Sequence, residues 1–139
     1  MVVVAIVAVL AAIALPSYSR YMDRAKMAQV VTQMGSLDPL LKQYELDNRV
    51  LPASLADIGA SGMKDPWGRP YGYISHDDAK GKGKWRKDHN IVPINSDFDL
   101  WSNGKDGQSV PPLTAKPSRD DIVRASNGRF IGLASEFDP

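Results

Sequence analysis

The chain contains no cysteine, so disulfide cross-links and cysteine-ligated zinc are excluded, while its compartment stays open. It also lacks an excess of charge, because 17 basic and 16 acidic residues leave a formal net charge of +1. Composition therefore gives no electrostatic sign of a nucleic-acid partner. No nucleophile elbow, phosphate-binding loop or pair of histidines with a glutamate is present. We therefore expect a protein that is not an enzyme.

What the sequence does have is an apolar start. No polar side chain occurs from Val2 to Leu15, and this run of fourteen residues is shorter than the roughly 20 needed to cross a bilayer. A secretory signal peptide would need a basic start and a small-residue cleavage site, but Met1 is followed directly by valine. The run also continues into a segment of helical periodicity, which argues against a signal peptide.

The residues after Pro16 keep the periodicity of a helix with one apolar face. Apolar side chains recur there every three or four positions, at Ala25, Met27, Val30, Val31, Met34, Leu37, Leu41 and Tyr44. Pro39 lies inside this stripe and is expected to bend the helix or start a new turn. The pattern predicts one long, kinked helix from about residue 2 to 47.

Such a helix is too long for the interior of a 139-residue protein, so its first third must project. Burying its apolar side chains stabilises by roughly 1.5–3 kcal/mol each, which outweighs surface electrostatics. The projecting part therefore belongs in lipid or among copies of itself. A monomeric membrane-anchored binding protein would use the helix as an anchor only. Small residues favour a filament core instead because they allow close helix packing, and they occur at Ala5, Ala8, Ala11, Ala12 and Ala14.

The remaining chain is rich in glycine and proline, which predicts short elements and turns. A short helix is expected from Ser54 to Gly59 or Gly62, and a turn between Asp65-Pro66 and Arg69-Pro70. Residues 71–75 and 97–102 alternate as strands do. We therefore expect an α+β protein with three parts: an apolar helix segment at 1–16, its amphipathic continuation at 17–50 and a globular head at 51–139.

Between the two predicted strands lies a lysine-rich stretch, which we interpret as a solvated hairpin loop. Its basic residues, together with nearby Arg69, are Lys80, Lys82, Lys84, Arg86 and Lys87. An anionic partner such as DNA is conceivable, but the patch is too small and too mixed in sign to favour nucleic acid. His76 and His89 flank this loop without a second ligand at helical spacing, and we interpret both as loop histidines rather than zinc ligands.

Several stretches resemble one family. "VVVAIVAVLAAIALPSYSRY" resembles the N-terminal helix of type IV pilins and of the pseudopilins of type II secretion. "QYELDNRVLPASLADI", "DPWGRPYGYI" and "SNGKDG" resemble the major pseudopilin in particular. The resemblance implies a pilin-like α+β fold, in which one long N-terminal helix packs on a small antiparallel sheet followed by a long C-terminal loop.

The resemblance also implies a function and a location. The expected function is a structural subunit that polymerises into a helical filament of identical subunits and so drives exoprotein secretion. Its expected partners are other pilin-like subunits, inner-membrane assembly proteins and, before assembly, the bacterial inner membrane. There it would be single-pass with the head in the periplasm. A subunit of a type IV pilus, serving adhesion, motility or DNA uptake, is the alternative.

Two departures from the family pattern stand out. The basic leader, the glycine at the processing site and the glutamate that aids assembly have no counterpart, so neither processing nor N-terminal methylation can be assigned to a residue. Met1 aligns inside the mature family helix, and we expect the chain to be truncated there. The tail from Thr114 to Phe137 is longer than expected for the secretion protein, which keeps pilus and pseudopilus both open.

An acidic stretch, "DFDLWSNGKDG", ends in a turn from Asn103 to Gly107. Downstream, Asp120 and Asp121 follow Ser118, which is a good N-cap, so a turn and a capped helix are one interpretation. The alternative is calcium, because a proline-rich connection from Gln108 to Arg119 needs a clamp and no cysteine is available. The resemblance implies a ligand set of the Asn103 carbonyl with the carboxylates of Asp106, Asp120 and Asp121.

Overall fold

A computed structural model describes residues 1–77 and 83–139 of the chain. A single long helix, α1, spans Val2–Asn48 and is followed by a sheet of short strands. The strands are β1 (Gly72–Ser75), β2 (Phe98–Ser102), β3 (Ile122–Ala125) and β4 (Phe130–Leu133). They are antiparallel and lie in the sheet in chain order. The predicted α+β, pilin-like architecture is confirmed.

Helix α1 is uninterrupted, although both Pro16 and Pro39 lie inside it. It ends where Arg49 adopts a left-handed conformation with φ of 62°. The backbone N–H of Arg49 donates to the carbonyl of Glu45 at 2.8 Å, which closes the last turn. The predicted long helix is therefore confirmed, within one residue of its expected end.

Helix α1 contacts the head from Asp23 onward. Its buried residues, spaced three or four apart, are Val30, Met34, Leu37 and Leu41. They pack against Phe98, Leu100 and Ile122 of the sheet and against residues of the connecting segment, Leu51, Leu55 and Tyr71. This stripe of α1 is the one that the sequence predicted, and burying it fixes which side of the helix faces the sheet.

A buried guanidinium joins the helix to the sheet. Arg124 of β3 is 0% exposed and forms a bidentate pair with Asp97, at 2.8 Å and 2.7 Å. Its Nε also donates to Asp38 of α1, and Nη1 donates to the carbonyl of Phe98 at 3.1 Å. Burial works against ionisation of Asp97, but the hydrogen bonds and charge of Arg124 outweigh it and lower the pKa of this carboxyl.

The short predicted elements are largely confirmed. Residues Leu55–Ile58 form a 3-10 helix with a capping box. Oδ2 of Asp57 accepts the backbone N–H of Ser54 at 2.9 Å, and Oγ of Ser54 accepts the N–H of Ala56 at 3.3 Å. Gly59 ends that helix with φ of 74°. The Asp65–Arg69 turn is closed by the N–H of Asp65 donating to the Arg69 carbonyl at 2.8 Å.

The interpretation of the region after Ser118 as a capped helix is wrong. Ser118 is the last residue of a short 3-10 helix, Lys116–Ser118, and the following apolar residues form strand β3. Strands β3 and β4 pair through Ile122–Leu133 and Val123–Gly132. Because β2 offers a partner edge to β3, Ile122 to Ala125 are buried in a sheet rather than in a helix.

Candidate functional site

The acidic stretch runs through strand β2 and ends in the turn that follows it. The carbonyl of Asn103 accepts the N–H of Gly107 at 3.1 Å, and both Gly104 and Gly107 have positive φ, at 60° and 75°. The predicted turn is therefore confirmed. The side-chain oxygen of Asn103 accepts a hydrogen bond from the indole of Trp101 at 2.9 Å, which fixes the orientation of the amide.

Arg69 holds this turn from the outside. Its guanidinium donates to the carbonyls of Gly104 at 2.6 Å and Lys105 at 3.3 Å. The side chain of Lys105 reaches Asp23 of α1 at 2.8 Å and so ties the turn to the helix. These hydrogen bonds orient the Arg69 guanidinium on the turn without neutralising its charge, so its contribution to a patch for an anionic partner stays a prediction.

Two of the predicted ligand residues meet in this turn. Oδ2 of Asp120 accepts the backbone N–H of Asp106 at 2.9 Å, and Oδ1 of Asp106 accepts the N–H of Gln108 at 2.7 Å. Gly104 allows this approach, since a Cβ there would lie 2.1 Å from the carbonyl oxygen of Asp120. The structure therefore brings Asn103, Asp106 and Asp120 into one neighbourhood across the long C-terminal connection.

Asp121 points elsewhere, into the interior. It is 0% exposed, and its Oδ2 accepts hydrogen bonds from Nη2 of Arg86 at 2.5 Å and the hydroxyl of Ser109 at 2.6 Å. Its Oδ1 is buried and has no hydrogen-bond partner among the described residues. Burial raises the pKa of this carboxyl, and the contacts with Ser109 and Arg86 offset that effect only in part.

The oxygen atoms around the turn decide whether a calcium ion fits there. The unpartnered Oδ1 of Asp121 is the kind of atom that a cation would satisfy. However, no three acidic or histidine side chains in residues 1–77 and 83–139 form a group able to hold a metal. A calcium ion here would rely mainly on main-chain oxygens, which calcium accepts, with Asp106 and Asp120 as the available carboxylates.

The connection from Gln108 to Arg119 is held by the chain itself. The N–H of Lys87 donates to the Pro111 carbonyl at 3.1 Å, and the N–H of Leu113 donates to the Lys87 carbonyl at 2.8 Å. The hydroxyl of Ser118 accepts the N–H of Val110 at 2.9 Å and donates to its carbonyl at 2.7 Å. These contacts were not predicted, because the sequence gives no signal for pairing between two loops.

The solvated-hairpin interpretation is wrong for part of the basic stretch. Arg86 is 2% exposed and lies beside Asp121, whereas Lys84 is exposed as expected. Lys80 and Lys82 lie outside the described residues. In the sequence Arg86 looks like its basic neighbours, so only the folded chain distinguishes it.

The two histidines also differ from one another. His89 lies in an exposed turn and contacts Asp88 at 2.9 Å. His76, in contrast, lies in the bend after β1 with its side chain only 5% exposed. Its ring stacks on Trp85 with ring centroids 4.3 Å apart and places Nε2 3.1 Å from Oδ2 of Asp99. That last contact lacks the alignment of a hydrogen bond. Both histidines lie outside the helices and strands, as predicted, but only the side chain of His89 is exposed.

The second candidate site is the projecting half of α1. Every residue from Val2 to Met22 is exposed, including large apolar side chains such as Val2 at 73% and Leu15 at 69%. By length and composition α1 can cross a membrane, and none of its most apolar window is buried in the protein. These 21 residues span about 31 Å at 1.5 Å per residue, close to the roughly 30 Å of a bilayer's hydrocarbon core.

A family model and a curated relative point to the same secretion protein. A family model described as type II secretion system protein G matches residues 17–115. The type II secretion system core protein G of Klebsiella pneumoniae is 30% identical over 139 residues, covering 93% of this chain and 91% of the relative. No solved structure gives a significant match.

Fimbrial proteins match as well. One from Neisseria meningitidis serogroup B is 26% identical over 145 residues, covering 94% of this chain and 83% of the relative. Fimbrial protein EcpC of Eikenella corrodens is 39% identical over 59 residues, so the match spans 42% of this chain and only 39% of that relative.

Proposed function

Because the chain belongs to the family of type II secretion system protein G, we propose that it is the repeating subunit of a secretion pseudopilus. This family is one of structural pseudopilins and not of enzymes, and its members fit an inner-membrane anchored, periplasm-facing subunit. One observation supports polymerisation into a filament through α1. Twenty-one consecutive residues of a largely apolar helix project without any cover from the head.

An exposed apolar helix needs an apolar environment, and two are available at different stages. Before assembly, the bilayer covers Val2 to Leu15 and the head lies in the periplasm. After assembly, the helices of neighbouring subunits cover one another. Ala5, Ala8 and Ala12 are spaced three and four residues apart, so they share one side of α1 and let a second helix approach closely.

Filament growth follows from the type of contact. A head-to-tail contact that uses two different surfaces does not close on itself and so generates an open helical fibre. The heads form the outside of this fibre and the projecting helices its core. Adding subunits at the inner membrane would lengthen the fibre and push exoprotein outward. Other pilin-like subunits of the same secretion system would join this fibre.

Cross-linking tests the helix contact directly, since the chain has no cysteine to interfere. A single cysteine placed by Ala12→Cys should give oxidised dimers in cell membranes. Lys84→Cys, at an exposed position of the head, is the matched control and should give far fewer. If Ala12→Cys stays monomeric under conditions of full expression, the chain is a membrane-anchored monomer and not a filament subunit.

The pilus alternative is favoured by the matches to fimbrial proteins. The two filaments differ in what they do. We expect the chain to restore exoprotein release to a host that lacks its own protein G. Surface fibres in sheared fractions without restored release would instead assign the chain to a pilus.

Calcium is a second part of the proposal. The candidate ligands are the Asn103 carbonyl and the carboxylates of Asp106 and Asp120, because Asp121 points into the interior and pairs with Arg86. When bound, the ion would supply positive charge to a carboxylate-rich turn. The proximity of Asp106 to Asp120 supports it. The test is the unfolding midpoint in calcium and in excess chelator. A bound ion should raise the midpoint by several degrees, at about 2.7 kcal/mol for 100 times its dissociation constant.

Asp106→Ala provides the control for that experiment, because it removes one proposed ligand at an exposed position. The calcium-dependent shift should shrink in this variant. An unchanged midpoint in the wild-type protein would leave the acidic residues as parts of a turn.

A further inference from the structure

Arg86 is placed unlike any other basic residue of its stretch. It is 2% exposed, and its guanidinium lies over the ring of Trp101 at 5.2 Å from the centroid. Its backbone N–H donates to Oδ2 of Asp99 at 2.6 Å, which anchors the main chain at this point. A buried arginine is expensive unless it is paired and hydrogen-bonded, so its contacts indicate a defined role.

The guanidinium contacts both ends of the long C-terminal connection. At the first end, Nη1 donates to the hydroxyl of Ser109 at 2.6 Å and to the carbonyl of Val110 at 2.8 Å. At the far end, Nη2 donates to Oδ2 of Asp121 at 2.5 Å. Ser109 completes the ring by donating to the same carboxylate oxygen at 2.6 Å. One side chain thus bridges positions that lie 12 residues apart in sequence.

We propose that Arg86 is the resident cation of the C-terminal loop, which it closes without a divalent ion. The family resemblance implies that Asp121 is a calcium ligand, but here its carboxylate already pairs with the guanidinium of Arg86 inside the protein. The two charges compensate each other in a site that excludes water, and planar donors suit this arrangement better than a point charge. A calcium ion would bind beside Asp106 and Asp120, to a loop that Arg86 already closes.

The neighbouring contacts point in the same direction. Residues 86–88 run beside residues 110–113, with Lys87 paired to Pro112 in a parallel bridge, while Ser118 holds Val110 from the other side. Backbone groups of Val110, Pro111 and Leu113 therefore have partners within the protein that need no ion. The inference concerns the closure of the head alone and stands whether or not the chain forms a filament.

The test is hydrogen exchange of the amides of Val110 and Leu113 in the full chain in mild detergent, with excess chelator throughout. The wild-type protein should stay protected in chelator. Arg86→Gln should speed exchange at these two amides by about ten- to hundredfold, the equivalent of losing charged hydrogen bonds. Arg86→Lys should give an intermediate rate, because a lysine cannot bridge three acceptors with the same geometry. Lys84→Gln, an exposed neighbour, should leave both rates unchanged.

Two results would overturn the proposal. One is wild-type exchange in chelator as fast as in Arg86→Gln, with protection returning only on addition of calcium, which would make the divalent ion the clamp. The other is equal rates in Arg86→Gln and Lys84→Gln. Should Arg86→Gln fail to fold, the wild-type comparison with and without chelator still decides. Ser109→Ala, which keeps the arginine and removes one acceptor, should then raise exchange at Val110 severalfold.

Discussion

Replacing Arg124 by methionine should destabilise the head more than any surface change. The substitution keeps the length and apolar stem of the side chain but removes a fully buried charge. Four hydrogen bonds disappear with it: two to Asp97, one to Asp38 and one to the carbonyl of Phe98. The carboxylates of Asp97 and Asp38 then lose their shared counter-ion between helix α1 and the sheet.

The size of the effect follows from burial. Removing one partner of a buried ion pair typically costs about 3–5 kcal/mol. Asp97 and Asp38 are 20% and 16% exposed, and Asp38 keeps Lys42 at 2.9 Å, so both retain some solvation. We therefore expect the lower end of the range, about 3 kcal/mol. In a head of this size 1 kcal/mol corresponds to about 4–8 °C, so the unfolding midpoint should fall by about 12–24 °C.

Tryptophan fluorescence of the full chain in mild detergent measures this midpoint in the head alone. The three tryptophans, Trp67, Trp85 and Trp101, all follow helix α1, so unfolding of the projecting segment does not contribute. Arg129→Met is the matched control, since Arg129 is exposed. If Arg124→Met melts within about 2 °C of that control, where 1 kcal/mol corresponds to several degrees, the buried network does not hold the helix to the sheet.

Two further predictions concern pH and the turn. The pKa of Asp97 is lowered in the folded protein, so the unfolded state binds this proton first as pH falls. The stabilisation is therefore complete above the unfolded pKa of about 3.9 and is lost as pH falls below it. In Asp97→Asn the free energy of unfolding, measured by denaturant at a series of pH values, should fall less steeply below pH 4, and an unchanged slope would contradict this. Gly104→Ala should destabilise the head by about 1–3 kcal/mol, because it forces a strained φ of 60° and a Cβ 2.1 Å from the Asp120 carbonyl oxygen. Gly62→Ala, with open space around it, is the control, and equal urea midpoints for the two variants would refute the argument.

The sequence by itself determined the elements whose signals are local. The apolar run and the three- and four-residue spacing from Val30 to Leu41 define a helix and its buried face, because each turn brings the same side round again. Ser54 with Asp57, and the glycines at 104 and 107, likewise indicate a cap and a turn, because they satisfy nearby backbone groups or permit a left-handed backbone.

Only the tertiary structure decided what depends on distant partners. Ser118 and the residues after it carry the local signal of a capped helix. Residues Ile122 to Ala125 instead pair with strand β2 and form strand β3. Arg86 and Lys84 are equivalent in the sequence, and a buried carboxylate 35 residues away makes one of them internal. Arg124 likewise becomes interior only because Asp38 and Asp97 approach it from two other elements. A buried charge is stable only with its partner in place, and that partner is chosen by the fold and not by the local sequence.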